Sequence, residues 1–312
     1  MRRTTFRTAT DVSSLSLLLF LVALPLTAMG NGESELLARE EFRGIAALQI
    51  ESESFDVSIV GTGTAKTTAQ VVGSPSVSAT IRRRGDTIVI EAKDRRALFS
   101  RSRVPGMIEV QTFEGANIEV ESGSGDVDVR GLQGAALDVR TGSGDVVVRA
   151  VFGEVRLRSG SGELEMERVG GSVEAGSGSG EIRFSDGEGR VRVGSSSGKI
   201  EIRGVRGNLE ATSSSGDVSV TEAEGVFAIS SSSGSLFCEE VEPRSASSFR
   251  SVSGDISLHL RDDSDTYAYE LRTVSGSIRV GGTKAGNRFE RDGGTVLIEA
   301  NTTSGSISID GV

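Results

Sequence analysis

The chain has 312 residues, with 34 Lys and Arg against 44 Asp and Glu, which gives a formal net charge of −10. Aromatic residues make up only 4% of the sequence and Trp is absent, and an acidic chain with so few stacking rings argues against nucleic-acid binding. A single cysteine excludes an internal disulfide, so stability must come from a hydrophobic core, which a chain of this length can build as one domain.

Residues 1–30 have the pattern of a secretory signal peptide. Arg2, Arg3 and Arg7 give a positive start, and the apolar run from Leu15 to Leu26 is too short for a comfortable membrane span. Small residues just before position 31 suit a cleavage site. We therefore predict export to the periplasm, the outer surface or the medium, with no transmembrane segment after signal removal. A retained N-terminal anchor is the alternative.

Residues 31–44 form a polar lead-in, and residues 45–120 are predicted to be irregular N-terminal coils and a cap. Leu48 and Ile50 alternate inward as in a strand with one buried face, and Phe55 stands where later repeats carry glycine. Terminal repeats are expected to diverge, because they must cover the end of a stack.

A basic cluster interrupts this N-terminal region. It comprises Arg82, Arg83, Arg84, Arg95 and Arg96. One interpretation is a solvated loop, and the other is a contact with an anionic surface such as phosphate-bearing lipid or glycan.

Residues 121–312 are organised by a repeated Ser-Gly unit, with longer loops after residue 234. The copies begin at Ser124, Ser143, Ser161, Ser179, Ser197, Ser215, Ser233, Ser253, Ser275 and Ser304. As far as Ser233 the interval between copies is nearly constant, and a fixed period of this kind is typical of stacked repeat architectures.

Each repeat predicts two short strands and two corners. Apolar residues stand three and five positions after the serine, as at Ile182 and Phe184, with a polar residue between them. A second alternating pair follows, as at Val191 and Val193, and another glycine column marks the opposite corner. The predicted fold is all-β, a single-stranded parallel β-solenoid (β-helix) with coils of roughly 18 residues, right-handed by default.

The Ser-Gly pairs are predicted to be structural corners, with the serines pointing inward. These corner residues are Ser143, Gly144, Ser161, Gly162, Ser179, Gly180, Ser197, Gly198, Ser215 and Gly216. Stacked hydroxyls can satisfy one another and the corner carbonyls. A serine nucleophile would need a base, and the only histidine, His259, falls at an outward position.

The C-terminal repeats lengthen, and the last one ends in half a coil at Val312. We expect this half coil to leave an open edge behind Ile307 and Ile309. Such an edge could accept a strand from another copy or another protein, so these residues are candidates for self-association.

Stacked Ser-Gly-Asp-Val units behind an exported N-terminus resemble the bacterial putative adhesin family, a domain of unknown function related to the GIN domain of auto-transporter adhesin heads. The resemblance covers residues 45–312 and implies an exported, non-enzymatic, adhesin-like protein of the cell envelope or surface. It implies an envelope or surface partner, protein or glycan, and brings no catalytic residue and no cofactor.

Two other classes stay open. A polysaccharide-active β-helix enzyme would need aromatic platforms, and Tyr267 and Tyr269 are the only tyrosines. A calcium-binding β-roll has coils of about the same length and needs oxygen ligands at each corner. The residue after each Ser-Gly is acidic in several copies but is Lys199 in one, so a repeating calcium site is not expected and no metal is predicted.

Overall fold

The computed structural model describes residues 34–74, 77–94 and 106–312. The predicted signal peptide, Arg95 and Arg96 lie outside these residues. Within these ranges there is no helix long and apolar enough to cross a membrane.

The described residues form 24 strands and one short 3-10 helix. The first eight strands are β1 (Glu35–Arg43), β2 (Ala47–Ser52), β3 (Asp56–Thr62), β4 (Lys66–Gly73), β5 (Val77–Arg84), β6 (Thr87–Asp94), β7 (Gly106–Phe113) and β8 (Asn117–Ser122). The next eight are β9 (Val127–Thr141), β10 (Val146–Ser159), β11 (Leu164–Ser177), β12 (Ile182–Ser195), β13 (Ile200–Ser213), β14 (Val218–Thr221), β15 (Glu224–Ser231) and β16 (Leu236–Pro243). The last are β17 (Ser247–Ser251), β18 (Ile256–Leu260), the 3-10 helix (Ser264–Thr266), β19 (Tyr267–Thr273), β20 (Ile278–Val280), β21 (Thr283–Ala285), β22 (Arg288–Arg291), β23 (Val296–Thr302) and β24 (Ile307–Gly311).

Strands β10 to β13 pair in parallel, each with the strand one sequence repeat further along the chain. Val146 lies opposite Leu164, Leu164 opposite Ile182, and Ile182 opposite Ile200. One sequence repeat is therefore one coil, and like residues stack on like residues. The prediction of an all-β repeat fold is confirmed as a β-solenoid-like stack.

The core consists of columns of aliphatic side chains, one column for each inward position. Phe184 occupies a column of Val, Met and Ile, and its ring fills the space above Gly187, where a Cβ would come within 2.4 Å of it. Cys238 is fully buried between Val220 and Leu258, and this burial raises the pKa of its thiol to about 12. Its buried side chain therefore acts as an apolar core residue.

The inner corner is held by the hydroxyl that precedes the Ser-Gly pair by two positions. Ser177 is buried, and its Oγ accepts the N–H of Gly180 at 2.9 Å and donates to the carbonyl of Gly162 in the preceding coil at 3.2 Å. The same pattern recurs at Ser231 and Ser251. Each of these three hydroxyls thus closes its own turn and links it to the preceding coil.

This arrangement corrects the predicted direction of the corner serines. The serines of the Ser-Gly pairs are exposed at the tips of the turns rather than buried in the core. They are Ser143, Ser161, Ser179, Ser197 and Ser215. The inward alternation stops at the preceding hydroxyl, because its bond to the N–H three residues later turns the chain there. The following glycines lie against the backbone of the previous coil. A Cβ on Gly162 would come within 1.9 Å of the Gly144 carbonyl oxygen.

The opposite corner contains a column of residues with left-handed backbone. Its members are Gly131, Ala150, Arg168, Asp186, Gly204, Glu222 and Glu240. The five that are not glycine have φ between +52° and +56°. Three residues further on, a second column, as at Gly171 and Gly189, brings the chain onto the last side of the coil.

Spatial order departs from chain order at both ends of the stack. At the N-terminal end, β2 and β3 lie between the pair β6–β7 and the pair formed by β8 and β9. Antiparallel β5 and β4 cover β6 and β7, and β1 lies beyond β4. At the C-terminal end, β23 and β24 lie between β17–β18 and β19–β20, which antiparallel β22 and β21 cover. A uniformly parallel solenoid therefore does not describe the ends.

The C-terminal interleaving also corrects the predicted open edge. Ile307 pairs with Ile256 on one side and Ile278 on the other, and Ile309 is flanked in the same way by Leu258 and Val280. Both isoleucines are buried, with at most 1% of their surface exposed. The last coil of the sequence is an inner coil of the stack, so it offers no free edge for strand addition.

Candidate binding groove

Five grooves on the described surface have volumes between about 310 and 470 Å³, so size alone does not single out a site. One of them combines an exposed aromatic ring with charged side chains from successive coils. Its lining residues are Phe152, Arg168, Asp186, Gly187, Glu188, Gly204, Arg206, Glu222, Glu224 and Arg261. We call this the Phe152 groove. Its volume of about 450 Å³ falls in the range typical of small-molecule sites.

The groove runs along the left-handed corner across five neighbouring coils, from the coil of Phe152 to that of Glu224. At the usual spacing between strands, this is a length of roughly 20 Å. The stack thus presents side chains to the groove at one regular interval.

Phe152 is the aromatic end of the groove. The residue is 42% exposed, and its ring lies over Gly170 of the next coil, where a Cβ would come within 3.0 Å of the ring. Because Gly170 has no side chain, the ring can lie over that strand, and Gly170 itself is buried beneath it. Gln133 occupies this column in the preceding coil, and Glu188 and Arg206 occupy it further along the stack. An apolar ring at this outward position is an exception.

The left-handed column lines the floor of the groove with Arg168, Asp186 and Glu222. A residue with a Cβ in this conformation costs about 1–2 kcal/mol. Glycine is accepted in the column at Gly131 and Gly204, so the backbone alone does not require the charged residues. Gly204 leaves room for the Asp186 carboxylate, since a Cβ there would lie 2.7 Å from its Oδ1. Strain retained where side chains line a groove is typical of functional sites.

Most charges around the groove are paired. Glu222 binds Arg203 at 2.7 Å and Glu224 binds Arg244 at 2.8 Å, and these hydrogen bonds raise the pKa of both arginines. Arg261 donates to the carbonyl of Glu240 at 3.3 Å.

Three groups stay open to hydrogen bonding. The side chains of Asp186, Glu188 and Arg206 make no hydrogen bond or ion pair with the part of the chain that the structure describes. The charge of Asp186 still adds to that of Glu222 in raising the pKa of Arg203. Arg206 has carboxylate-bearing neighbours on both adjoining coils, Glu188 and Glu224, and pairs with neither. The groove therefore contains two carboxylates that can accept hydrogen bonds and one guanidinium that can donate them, beside the exposed ring of Phe152.

The basic cluster predicted as a candidate contact is partly occupied by internal contacts. Arg82 binds Glu91 at 2.7 Å. Arg83 donates to the carbonyls of Gly85, Arg43 and Gly44, at 2.7, 3.0 and 3.1 Å. The described arginines of the cluster lie on β5, whose outer edge has no strand paired to it among the described residues. Charges on such an edge oppose strand addition.

The acidic column after the Ser-Gly pairs also has an internal role. Asp145 Oδ1 accepts the N–H of Glu163 at 2.8 Å, and Asp217 Oδ1 accepts the N–H of Ser235 at 2.8 Å. These carboxylates bind the backbone of the next coil. Within the described ranges, no three His, Cys, Asp or Glu side chains are close enough together to hold a metal ion.

The remaining aromatic residues lie elsewhere. Tyr267 and Tyr269 are buried, and Tyr269 donates to the carbonyl of Ser264 at 2.8 Å. Phe237 is 43% exposed on another face, with its ring centroid 6.2 Å from that of His259. It lines none of the five grooves. Phe152 was not among the residues predicted from the sequence, although its position in a column that otherwise carries polar residues or glycine was a signal for it.

Two segments of the chain, residues 102–203 and 189–310, match the model of the Toastrack DUF4097 family. No match was found among curated proteins.

Solved structures that are similar to this chain include three bacterial proteins. A putative adhesin from Bacteroides fragilis is 13% identical, with a TM-score of 0.38 over 88% of this chain and 97% of that one. A putative lipid binding protein from Parabacteroides distasonis is 16% identical, with a TM-score of 0.36 over 90% and 98%. A putative cell adhesion protein from Clostridium sporogenes is 10% identical, with a TM-score of 0.23 over 89% and 100%.

Proposed function

The chain belongs to the Toastrack DUF4097 family, and from this premise we propose that it is an exported, non-enzymatic, adhesin-like protein that binds a partner at the cell envelope or surface. In this proposal the coils form a right-handed β-solenoid that acts as a scaffold for a binding surface. The parallel pairing of successive repeats in the central strands supports the scaffold. The N-terminal signal pattern in the sequence supports export.

The observation that carries the proposal is the Phe152 groove. There an exposed aromatic ring, in a column that otherwise carries polar residues or glycine, lies beside the side chains of Asp186, Glu188 and Arg206, which make no hydrogen bond or ion pair among the described residues. Binding energy in protein interfaces concentrates in a few aromatic and arginine side chains. The groove offers one of each within a regular array, so we assign it as the contact surface.

The proposal is tested with the full chain expressed in bacteria. Fractionation should recover the protein outside the cytoplasm, with an N-terminus near Asn31. The purified mature protein should bind intact cells or envelope fragments saturably, and Phe152→Ala should weaken that binding. Phe237→Ala is the matched control, because Phe237 is equally exposed on another face. Recovery of an intact Met1 in the cytoplasm, or no saturable envelope binding, would overturn the proposed function.

A further inference from the structure

We infer that the ligand of the Phe152 groove is an uncharged oligosaccharide chain that lies along the coils. This inference rests on the proposed function and adds the chemical class of the partner.

The ring of Phe152 is suited to a sugar. A pyranose has a face of C–H bonds and a rim of hydroxyls, so it stacks on an aromatic ring while its rim meets polar groups. Phe152 presents 42% of its surface and lies over Gly170 beside the groove. Aromatic rings are the side chains best suited to such apolar contact, and a few placed polar groups then fix the orientation of the ligand.

The open polar groups match hydroxyls on the rim. A hydroxyl donates one hydrogen bond and accepts others, while carboxylates only accept and a guanidinium only donates. Asp186 and Glu188 can therefore accept from sugar hydroxyls, and Arg206 can donate to them. All three side chains are free of internal hydrogen bonds among the described residues.

The balance of charge favours an uncharged chain. The groove is lined by three arginines and four carboxylates, and its open groups are two acids and one base. The carboxylates of Asp186 and Glu188 would repel an acidic polysaccharide, and the guanidinium of Arg206 would repel a polycation. The overall charge of −10 also opposes an anionic ligand.

A peptide fits the groove less well. One common mode of peptide recognition adds an extended strand to a sheet edge. The backbone here is already paired between coils, with Gly170 opposite Glu188, Glu188 opposite Arg206, and Arg206 opposite Glu224. Strand addition is therefore not possible in the groove, and a ligand there is recognised through side chains. The length of five coils suits an oligomer better than a single sugar.

The test is calorimetric titration of the mature protein with neutral hexasaccharides, namely linear glucose and N-acetylglucosamine oligomers, and with uronic-acid hexasaccharides. We expect a neutral hexamer to bind and a monosaccharide to bind much more weakly. Phe152→Ala should lose about five- to tenfold in affinity, while Phe152→Trp keeps or improves it. Phe237→Ala should leave binding unchanged. Raising the salt should change the affinity of a neutral chain little.

A second variant distinguishes loss of binding from loss of folding. Asp186→Gly suits the left-handed backbone, so it should melt no earlier than the unmodified protein and yet bind the hexamer more weakly. Tighter binding of the uronic-acid chain, or no effect of either substitution in the groove, would overturn the inference. Saturable binding to envelopes that protease treatment of the envelopes abolishes would also overturn it, because the partner would then be a protein. These results are separate from the proposed function, which fails if export or envelope binding is absent, and whose contact surface is wrong if Phe152→Ala leaves envelope binding unchanged.

Discussion

At the scale of single residues, one hydroxyl per coil determines where the chain turns at the inner corner. The serine two positions later looks equivalent in the sequence, because both recur at every repeat. The structure separates them by their partners: Ser177 binds the N–H of Gly180 and the carbonyl of Gly162, whereas Ser179 is exposed. Strict alternation could not reveal this difference, since the turn that ends the alternation is closed by a side chain.

Ser177→Ala should destabilise the protein by about 1–3 kcal/mol, because it leaves the partly buried N–H of Gly180 and the carbonyl of the buried Gly162 without this partner. Ser179→Ala, two positions away, should change the free energy of unfolding by about 0.5 kcal/mol or less. Denaturant unfolding of the two variants measures the difference. Equal unfolding midpoints for the two variants would show that the Ser177 hydroxyl does not stabilise the inner corner.

The corner glycines are required by close approach between coils. Gly162→Ala would place a Cβ 1.9 Å from the Gly144 carbonyl oxygen, and no side chain can move to relieve that contact. We expect a loss of about 3 kcal/mol or more, as for other severe overpacking. Gly176→Ala is the control, because the nearest atom would be 3.8 Å away. There the reduced entropy of the unfolded chain should leave stability unchanged or raise it by about 0.4–1 kcal/mol. Thermal melting that falls equally in both variants would contradict this account.

At the scale of elements, the sequence predicted the strands and their period well, because alternation and a fixed interval are local patterns. It could not predict the order of coils at the two ends. Every coil presents the same columns of hydroxyl, glycine and aliphatic residues, so several stacking orders satisfy the same pattern. Long insertions, such as the one containing β21 and β22, decide the order by letting the chain reach the end of the stack and return. The groove could not be predicted from the repeat for a related reason. It depends on residues such as Phe152 that differ from the other residues of their column.

The interleaved order predicts that β24 behaves as an inner strand. Ile309→Lys would bury an unpaired charge between Leu258 and Val280, so it should cost about 3 kcal/mol or more. Ser308→Lys changes the neighbouring outward position and should cost about 0.5 kcal/mol or less. Chemical unfolding followed by circular dichroism compares them. If both variants were equally stable, β24 would have to lie at a free edge.

At the scale of the described stack, each coil contacts mainly its two neighbours, so stability depends on every boundary between coils. The ends are closed by antiparallel strands rich in charge. β5 carries Arg82, Arg83 and Arg84, and β22 carries Arg288, Glu290 and Arg291. Charged edge strands oppose pairing with other chains. Polymerisation through the ends is therefore disfavoured, and the sides of the coils are left as the surfaces for contact.

The boundaries between coils also determine how the protein should respond to removal of metal ions. In a calcium-binding β-roll, removal of the ion would open every coil boundary and unfold the stack. Here the acidic column serves the boundary directly, since Asp145 accepts the N–H of Glu163, and Lys199 interrupts the column. A chelator should therefore shift the melting temperature by no more than about 1 °C, because nothing that stabilises the folded state is removed. Asp145→Asn, which keeps a side-chain acceptor, should be milder than Asp145→Ala, which leaves the Glu163 N–H without its partner. A chelator-induced fall of several degrees that calcium reverses would show that these carboxylates bind an ion, and the internal role of the column would then have to be abandoned.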